Sequence, residues 1–470
     1  MNASSALRAG LGLLALSLLA RAAVSWGTEP TSLETYIWLC GRHPAAGYFD
    51  YPGVGPWLSF LSCAAFGNST LGLRALFLAA AGLLAAVVGL TARRLYGPAA
   101  GLRATALAAL LPLFFAYGAV ALPDAPLLLF WASTLWAAAR ALSGDSPRWW
   151  WAAGAFLGLA MLSKYTALLL APALLAFLAL SPEHRFWLRR REPWIGVGIA
   201  ALLQAPTLAW NAAHGWQSFL YQGVERFGEG GAEARQAYAF PLGQLLLMTP
   251  GVGLLALGAA ALAFRRWKST PWQDRYLAVA GLPILLFFAS LLISRPVRGH
   301  WPAPAWISLT ILAASRGSRP ARWIVDASLA LLATACLALP VVLYTRPAEE
   351  LRGWSALARR VAEFRPDFVV AQDYHAGAQL AYHLRPVPAF DFTPLGKTRK
   401  NFAAWWSAPP FRGGSAVVVY EVKRHPQDLE LARSAFEELG EPVRVSLVRP
   451  GGRREDYLLI PARGYRGERP

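Results

Sequence analysis

The chain has 470 residues, of which 56% are apolar and 15% charged, whereas a soluble globular protein has roughly 45–50% apolar and about 25% charged residues. This composition excludes a purely soluble enzyme and predicts a polytopic α-helical membrane protein. Only three cysteines occur, two of them in or beside apolar segments, which argues against a disulfide framework and against a cysteine-based zinc site.

The membrane-spanning part is predicted from apolar segments, each of which needs about 20 residues to cross a bilayer. We expect eleven spans, at residues 6–26, 71–91, 102–121, 124–142, 149–162, 165–180, 193–212, 241–263, 275–294, 302–315 and 323–345. The stretch 149–180 is too long for one untilted span and short for two. Two short crossings that turn near Ser163–Thr166 would keep the Arg-rich segment 183–192 on the inner side.

The net charge of +18 has a topological explanation. With the N terminus inside, 17 of the 25 Lys and Arg residues before residue 346 lie on the inner side, as the positive-inside rule requires. Seven of the twelve acidic residues in the same part lie outside. We therefore expect any chemistry at the outer face, and membrane lipids rather than nucleic acid as partners.

The C-terminal part mixes charged residues with short β-like and helical patterns. The β-like runs are residues 368–371, 416–422 and 457–460, and the helical patch is 428–439. This pattern predicts a small extracytoplasmic α/β domain. The predicted domains are a membrane domain at 1–345, whose first outer loop is 27–70, and a C-terminal domain at 346–470.

Two carboxylates lie in the aromatic-rich first outer loop. Tyr36 and Trp38, together with Trp57, suit an amphipathic helix in the membrane interface. Glu34 and Asp50 would be partly desolvated there, and desolvation prepares a carboxylate for proton transfer. The alternative is an interfacial loop whose acids are simply hydrated.

A second candidate pair lies at the ends of predicted spans. Asp124 begins the fourth span, where either catalysis or stabilisation of the helix N terminus would explain an acid. Lys164, followed by Tyr165, sits at the turn between two short spans. It would either contact a phosphate or extend to the outer headgroups.

Two further outer segments combine aromatic, amide, imidazole and guanidinium groups. These suit a sugar or an anion, and they also suit an ordinary aromatic belt or headgroup contacts. The candidate binding residues in them are Asn211, His214, Arg226, Arg298, His300 and Trp301. His300 with Glu34, Asp50 or Asp124 could hold a divalent metal, although no ligand spacing supports one.

The motifs are informative in their order. They are Glu34–Trp38 (ETYIW), Gly47–Pro52 (GYFDYP), Pro123–Leu127 (PDAPL), Ser163–Thr166 (SKYT), Trp210–Phe219 (WNAAHGWQSF) and His300–Ala305 (HWPAPA). This series resembles the bacterial branch of the protein O-mannosyltransferase and aminoarabinose (lipid A) transferase superfamily, which are polytopic glycosyltransferases of the GT-C fold. The resemblance covers residues 6 to about 310.

The resemblance implies a polyprenyl-phosphate-linked sugar as donor, and transfer at the outer face of the bacterial inner membrane with inversion at the anomeric carbon. The acceptor would be a lipid, a glycan or a protein. The family usually carries an Asp-Glu pair in its first outer loop, but Leu33 occupies the Asp position here. Either Glu34 takes over its role, or Asp50 or Asp124 supplies it, or activity is impaired.

The residues themselves suggest a division of roles, because a phosphate leaving group calls for a base for the acceptor and cations for the phosphate. Glu34 and Asp124 are the catalytic candidates. The phosphate candidates are Lys164, Arg226 and Arg298, and the residues that could stack on a sugar or shape a lipid groove are Tyr36, Tyr51, Tyr165, Trp216 and Trp301.

Two other functions stay open. A transporter or flippase for lipid-linked sugars would carry ionisable groups deep in several spans, yet apart from Lys164 and Asp326 the predicted spans are nearly free of them. A non-catalytic subunit that binds lipid-linked sugars would explain Leu33.

Overall fold

The computed structural model describes residues 3–225, 234–294, 297–345, 353–395, 401–422, 429–448 and 454–467. The helices up to residue 345 are α1 Ala3–Gly27, α2 Ser32–Arg42, α3 Val54–Phe66, α4 Thr70–Tyr96, α5 Pro98–Leu110, α6 Pro112–Gly118, α7 Asp124–Leu142, α8 Trp149–Ser163, α9 Leu170–Leu180, α10 Arg191–Leu203, α11 Ala205–Ala213, α12 Gln217–Leu220, α13 Ala234–Leu247, α14 Pro250–Arg265, α15 Trp272–Val279, α16 Leu282–Leu291, α17 Ala303–Ala314 and α18 Arg319–Thr345.

Most residues of each predicted span are helical in the structure. Among the described residues, six helical stretches are long and apolar enough to cross a membrane, and the number rises to eight if each of two bent helix pairs is one span. The predicted spans 149–162, 165–180 and 302–315 correspond to shorter apolar helices. The polytopic helical architecture is therefore confirmed, while the total of eleven crossings stays a prediction.

Prolines mark the two bends. Helices α5 and α6 meet at 58°, immediately before Pro112, and the axes of Tyr238–Leu247 and α14 differ by 104° before Pro250. Proline has no backbone N–H and clashes with the preceding turn, so a helix breaks where it occurs. Each break leaves backbone carbonyls that need other donors.

The chain forms two compact units. The first comprises Met1–Ala23, Tyr51–Gly55 and Arg74–Leu339. Small residues let its helices approach closely, as between α8 and α10. A Cβ at Gly154 would lie 2.0 Å from the carbonyl oxygen of Gly196, so this contact requires glycine.

The second unit comprises Val24–Asp50, Pro56–Leu73 and Pro340–Pro470. Its C-terminal helices are α19 Trp354–Ala362, α20 Tyr374–His383, α21 Phe402–Trp405 and α22 Leu429–Ala435, and its strands are β1 Phe368–Ala371, β2 Ala389–Phe390, β3 Ala416–Glu421, β4 Phe436–Leu439, β5 Val443–Val448 and β6 Arg454–Tyr465. The sheet order is β2-β1-β3-β6-β4, with β5 also paired to β6. Strand β1 is parallel to β2 and β3, and the remaining pairs are antiparallel.

The C-terminal α/β domain is thus present, with one local error in its prediction. The helical patch expected over 428–439 is a helix only to Ala435, and Phe436–Leu439 forms a strand paired with β6. The second unit also contains much of the first outer loop, which the sequence placed in the membrane domain. The functional boundary at residue 345 stays a prediction.

The first outer loop packs inside this second unit through its aromatic side chains. Tyr36 is fully buried against Tyr374, with ring centroids 5.0 Å apart, and Trp38 packs edge-on against Tyr382 at 5.2 Å. The expectation of an interfacial helix that presents these rings to lipid is wrong for both residues. An aromatic stripe fits a protein partner as well as a membrane interface.

The same loop also caps a C-terminal helix. The carboxylate of Glu29 accepts hydrogen bonds from the backbone N–H of Trp354, at 3.0 Å, and from the hydroxyl of Ser355. These groups lie in the first turn of α19, where backbone N–H groups have no intrahelical acceptor. Gln379 of α20 adds a 2.9 Å hydrogen bond to the carbonyl of Pro30.

Candidate active site

A buried ion pair joins the beginning of α7 to the end of α8. Lys164 Nζ lies 2.9 Å from Asp124 Oδ1, and the two side chains are only 16% and 7% exposed. Helix α8 ends at Ser163, and Lys164 adopts an extended backbone conformation before a 3₁₀ turn at Tyr165–Leu169. The predicted turn near Lys164 is therefore present, and it aims the ammonium group at Asp124.

The pairing follows from how these helices are connected. A short loop joins α7 to α8, and the two helices pack along their length. Antiparallel neighbours place the beginning of one helix beside the end of the next. Residues 40 positions apart in sequence are thereby brought into contact. A buried pair of this kind persists only if both charges remain, because either one alone would be strongly destabilising.

Asp124 has a second neighbour in His300. Its carboxylate interacts electrostatically with Lys164 and with His300. The His300 ring contacts the ring of Tyr117, with centroids 5.0 Å apart. The Tyr117 hydroxyl also interacts with the charges of Asp124 and Arg298. Lys164, His300 and Tyr117 thus all interact with one carboxylate.

His300 is held in place by a glutamine that the sequence analysis missed. Gln244 of α13 donates a 2.6 Å hydrogen bond to the carbonyl of Gly299 and accepts one of 2.8 Å from the indole N–H of Trp306. Gln244 is 4% exposed. Because both ends of its amide are engaged, it fixes the turn that carries His300. A polar residue in an apolar segment is the signal that could have identified it.

Tyr165 extends the cluster toward the predicted outer segment after α10. Its hydroxyl lies 2.8 Å from the hydroxyl of Ser218, and Asn211 lies nearby. Asn211 is fully buried and donates to the carbonyl of Thr207 at 3.0 Å. The structure therefore brings together two predicted site residues, Tyr165 and Asn211, beside Lys164.

Other predicted binding residues are placed differently. His214 is exposed, and its ring stacks on Trp210 with centroids 4.2 Å apart while Nδ1 lies 2.7 Å from the Trp210 carbonyl oxygen. Trp301 is largely buried, whereas Arg298 is exposed. Arg226 lies outside the described residues.

Tyr51 belongs to a segment that approaches the beginning of α7. The first unit includes Tyr51–Gly55, and a Cβ at Gly55 would lie 2.9 Å from Cγ of Pro123. Glycine at position 55 therefore permits close packing against the residue before Asp124. This contact places the residues that follow the GYFDYP motif against the PDAPL motif.

Glu34 forms a capping box rather than an isolated acid in a loop. Its Oε2 accepts a 2.8 Å hydrogen bond from the backbone N–H of Thr31, and the Thr31 hydroxyl accepts one of 3.3 Å from the Glu34 N–H. Glu34 is fully buried. The Thr-x-x-Glu spacing is the sequence signature of this cap, so the structural role of Glu34 was readable in advance. Its catalytic role stays a prediction.

Asp50 is held by a tyrosine and, through it, by a C-terminal residue. Tyr36 Oη donates to Asp50 Oδ2 at 2.7 Å, and Asn401 Nδ2 donates to Tyr36 Oη at 2.7 Å. Asn401 Oδ1 accepts from the N–H of Phe49 at 2.9 Å. All these contacts lie within the second unit. Nothing in the sequence pattern singled out Asn401.

No group of three or more His, Cys, Asp or Glu side chains that could hold a metal ion occurs within the described ranges. The carboxylate of Asp124 is already balanced by Lys164. The residues around Asp124 therefore do not fit a metal site held by the protein alone.

Comparisons of the sequence with known proteins match a part of the chain that includes the PDAPL and SKYT motifs. Residues 50–210 match the family described as dolichyl-phosphate-mannose-protein mannosyltransferase. The lipid A galacturonosyltransferase RgtD of Rhizobium johnstonii (strain DSM 114642 / LMG 32736 / 3841) is 26% identical over 161 residues, which are 34% of this chain and 33% of that protein. The chain thus spans about a third of the length of the curated relative that it matches.

Solved structures extend the similarity to nearly the whole chain. ArnT from Cupriavidus metallidurans in the apo state matches with a TM-score of 0.70 at 15% identity, over 96% of this chain and 97% of that one. The chain has the GT-C fold. ArnT bound to undecaprenyl phosphate matches with a TM-score of 0.69 at 16% identity over the same shares. The resemblance of the motifs to this superfamily is confirmed over residues 50–210, and the Asp124–Lys164 pair lies within them.

Proposed function

We propose that this protein is an integral-membrane glycosyltransferase that moves a sugar from a polyprenyl-phosphate-linked donor to a lipid, glycan or protein acceptor at the outer face of the bacterial inner membrane. The observation that carries the proposal is the buried Asp124–Lys164 pair with His300 beside it. The GT-C fold, and the undecaprenyl phosphate bound in an ArnT structure of similar fold, support the donor class.

The transfer step is a displacement at the anomeric carbon. The acceptor oxygen forms a bond to that carbon, the bond from the carbon to the phosphate oxygen breaks, and the phosphate leaves with the bonding electrons. The acceptor proton passes to a carboxylate. The site must therefore supply a proton acceptor on one side of the sugar and positive charge on the other.

Lys164 is proposed to stabilise the leaving phosphate, because an ammonium group acts as a point charge toward phosphate oxygens. Arg298 is exposed close to Tyr117 and would add a second cation. Asp124 is proposed to orient Lys164 and to receive the acceptor proton. Tyr165 and Asn211, which lie near each other, would contact the sugar.

Glu34 is the less favoured proton acceptor, because one of its oxygens already holds the N–H of Thr31 in a fully buried cap. Asp124 instead pairs with Lys164, whose positive charge would also attract the donor phosphate when the donor binds. This assignment departs from the pattern of the family, in which the acid precedes Glu34, and it agrees with Leu33 at that position.

The experiment compares glycolipids, envelope glycans and glycoproteins by mass spectrometry in bacteria that lack the chain or carry it. We expect a product heavier by one sugar residue, which disappears in the Lys164→Ala and Asp124→Asn variants. The control is Lys268→Ala, which removes an exposed lysine elsewhere in the chain. In a second assay, the purified chain is supplied with a polyprenyl-phosphate sugar. A transporter or a non-catalytic subunit would form no such product there. Equal product from all variants would contradict the proposed site.

A further inference from the structure

A fully buried arginine lies inside the first predicted span. Arg21 in α1 is 0% exposed, which corrects the expectation that, apart from Lys164 and Asp326, the spans are nearly free of ionisable groups. An ionisable side chain at membrane depth is costly and is retained for a specific contact. The contacts of Arg21 therefore indicate its role.

Arg21 donates to backbone carbonyls on both sides of the break between α5 and α6. Its Nη2 lies 3.0 Å from the carbonyl oxygen of Ala109 and 3.3 Å from that of Phe114, and its Nε lies 3.3 Å from that of Phe115. Ser17 accepts from Nη1 at 2.5 Å and donates to the Ala109 carbonyl at 2.6 Å.

Two of these carbonyls, those of Ala109 and Phe115, belong to the last turns of short helices. Helix α5 ends at Leu110 and α6 ends at Gly118, and the C-terminal turns of helices carry carbonyls without intrahelical donors. Such ends also attract cations through the helix dipole. One planar guanidinium with several N–H groups can serve both ends at once, so Arg21 fixes the bend between α5 and α6.

The bend sets the position of Tyr117. This residue lies in α6, two positions after Phe115, and its ring contacts His300 at 5.0 Å. Its hydroxyl interacts with Asp124 and Arg298. A change in the direction of α6 would therefore move the aromatic wall of the cluster around Asp124.

Space around the bend is restricted as well. A Cβ at Gly118 would lie 2.5 Å from Cβ of Ala81 and 3.1 Å from Nε of Arg21. The end of α6 can therefore hold Arg21 and α4 at these distances only with glycine at position 118.

We infer that Arg21 is a positioning residue for the glycosyl-donor site, which acts by joining the ends of α5 and α6 and so holding Tyr117 against His300 and Asp124. The inference rests on the proposed function, because it takes the Asp124 cluster as the donor site.

The test measures binding of undecaprenyl phosphate to the purified full-length chain in detergent, together with thermal unfolding. We expect Arg21→Met to weaken binding about tenfold and Arg21→Lys to weaken it less, because an ammonium group reaches fewer carbonyls. Gly118→Ala keeps Arg21 but crowds it from α6, and it should weaken binding as well. Gly118→Ala also provides the measurement if Arg21→Met does not fold.

Two comparisons separate positioning from a general loss of stability. Arg275→Met removes another buried arginine, one that pairs with Glu183, and it should lower thermal stability without changing binding more than about twofold. In a Tyr117→Leu background, Arg21→Met should add little further loss, because both changes remove the same wall.

The outcomes distinguish the inference from the proposed function. If the parent chain does not bind undecaprenyl phosphate, the proposed donor class fails. If the parent binds and Arg21→Met or Gly118→Ala binds equally well, the positioning role is wrong. Losses that are fully additive with Tyr117→Leu, or equal losses in Arg275→Met, would also reject it.

Discussion

Asn401 donates a 2.7 Å hydrogen bond to the hydroxyl of Tyr36, although 365 residues separate them in sequence. Because the amide occupies an acceptor position of the phenol, the Tyr36 proton is directed to Asp50, at 2.7 Å. The carboxylate of the GYFDYP motif is thus oriented by a C-terminal side chain within the same compact unit.

Removing the Tyr36 hydroxyl should destabilise this unit. Tyr36→Phe deletes two hydrogen bonds in a fully buried position, and we expect a loss of about 1–3 kcal/mol in the free energy of unfolding. Denaturant titration of the purified chain measures it. Tyr238→Phe, at an exposed tyrosine, should change stability by less than about 0.5 kcal/mol. Equal effects would show that the buried network contributes nothing.

The Asp124–Lys164 pair should show opposite effects on stability and activity. Lys164→Met leaves a buried carboxylate without its cation and should cost about 3–5 kcal/mol. The double variant Asp124→Asn/Lys164→Met buries no charge and should recover most of that stability, while product formation stays abolished. Thermal unfolding and a transfer assay provide the two measurements. Recovery of activity in the double variant would reject the catalytic role of the pair.

The choice of proton acceptor is tested at Glu34 and Asp124. Glu34→Gln keeps an oxygen that can accept from the N–H of Thr31, so the helix cap survives and we expect at least partial turnover. Asp124→Asn should eliminate turnover, because an amide cannot take a proton. Both variants are compared for product formation at equal protein amounts. The reverse result, with Glu34→Gln inactive and Asp124→Asn active, would assign the base to Glu34.

Glu183 and Arg275 form an ion pair that should be sensitive to acid. Partial burial tends to raise the pKa of Glu183, but hydrogen bonds from its own N–H, Arg275 and Ser181 lower it to about 2. A depressed carboxyl pKa contributes stability above the unfolded value, near 4.5, that is lost as the pH falls toward 2.

We therefore expect thermal stability to fall between about pH 4.5 and pH 2 more steeply in the parent than in Glu183→Gln. Because Glu183 is 53% exposed, the difference should shrink in high salt. Identical pH profiles for the two proteins would show that this ion pair does not contribute to stability.

The orientation is tested by reporter fusions. Eleven crossings from an inner N terminus place the chain after Tyr344 outside and Arg190 inside. A reporter that is active only outside the cytoplasm should give a signal when fused after Tyr344 and none when fused at Arg190. Equal or reversed signals would overturn the span count around Lys164.

Local sequence signals predicted much of the helical framework and part of the site. Apolar length identified the spans, and the ionisable residue Lys164 between two apolar segments marked a turn. Both signals are contained in a continuous stretch of sequence. The partners of Tyr36 and Trp38 were not predictable in this way. An aromatic stripe has the same spacing whether it meets lipid or a domain that follows 300 residues later.

Other misses have physical reasons of the same kind. Phe436–Leu439 continues a helical pattern, but pairing with β6 overrides that local preference. Arg21 is a single charge in an apolar run, and its purpose depends on where Pro112 breaks another helix. Asn401 is one amide in a polar segment, and only its buried contact with Tyr36 distinguishes it.

The cap that Glu29 provides for α19 limits how this protein can be recombined with its relatives. A chimaera that exchanges only the chain after residue 345 would separate α19 from the carboxylate that caps it and Asn401 from Tyr36. Residues 24–50 and 56–73 would have to be exchanged with it, because they fold in the same unit. The C-terminal domain therefore has to be inherited together with the first outer loop, and substitutions in the two segments should be selected together.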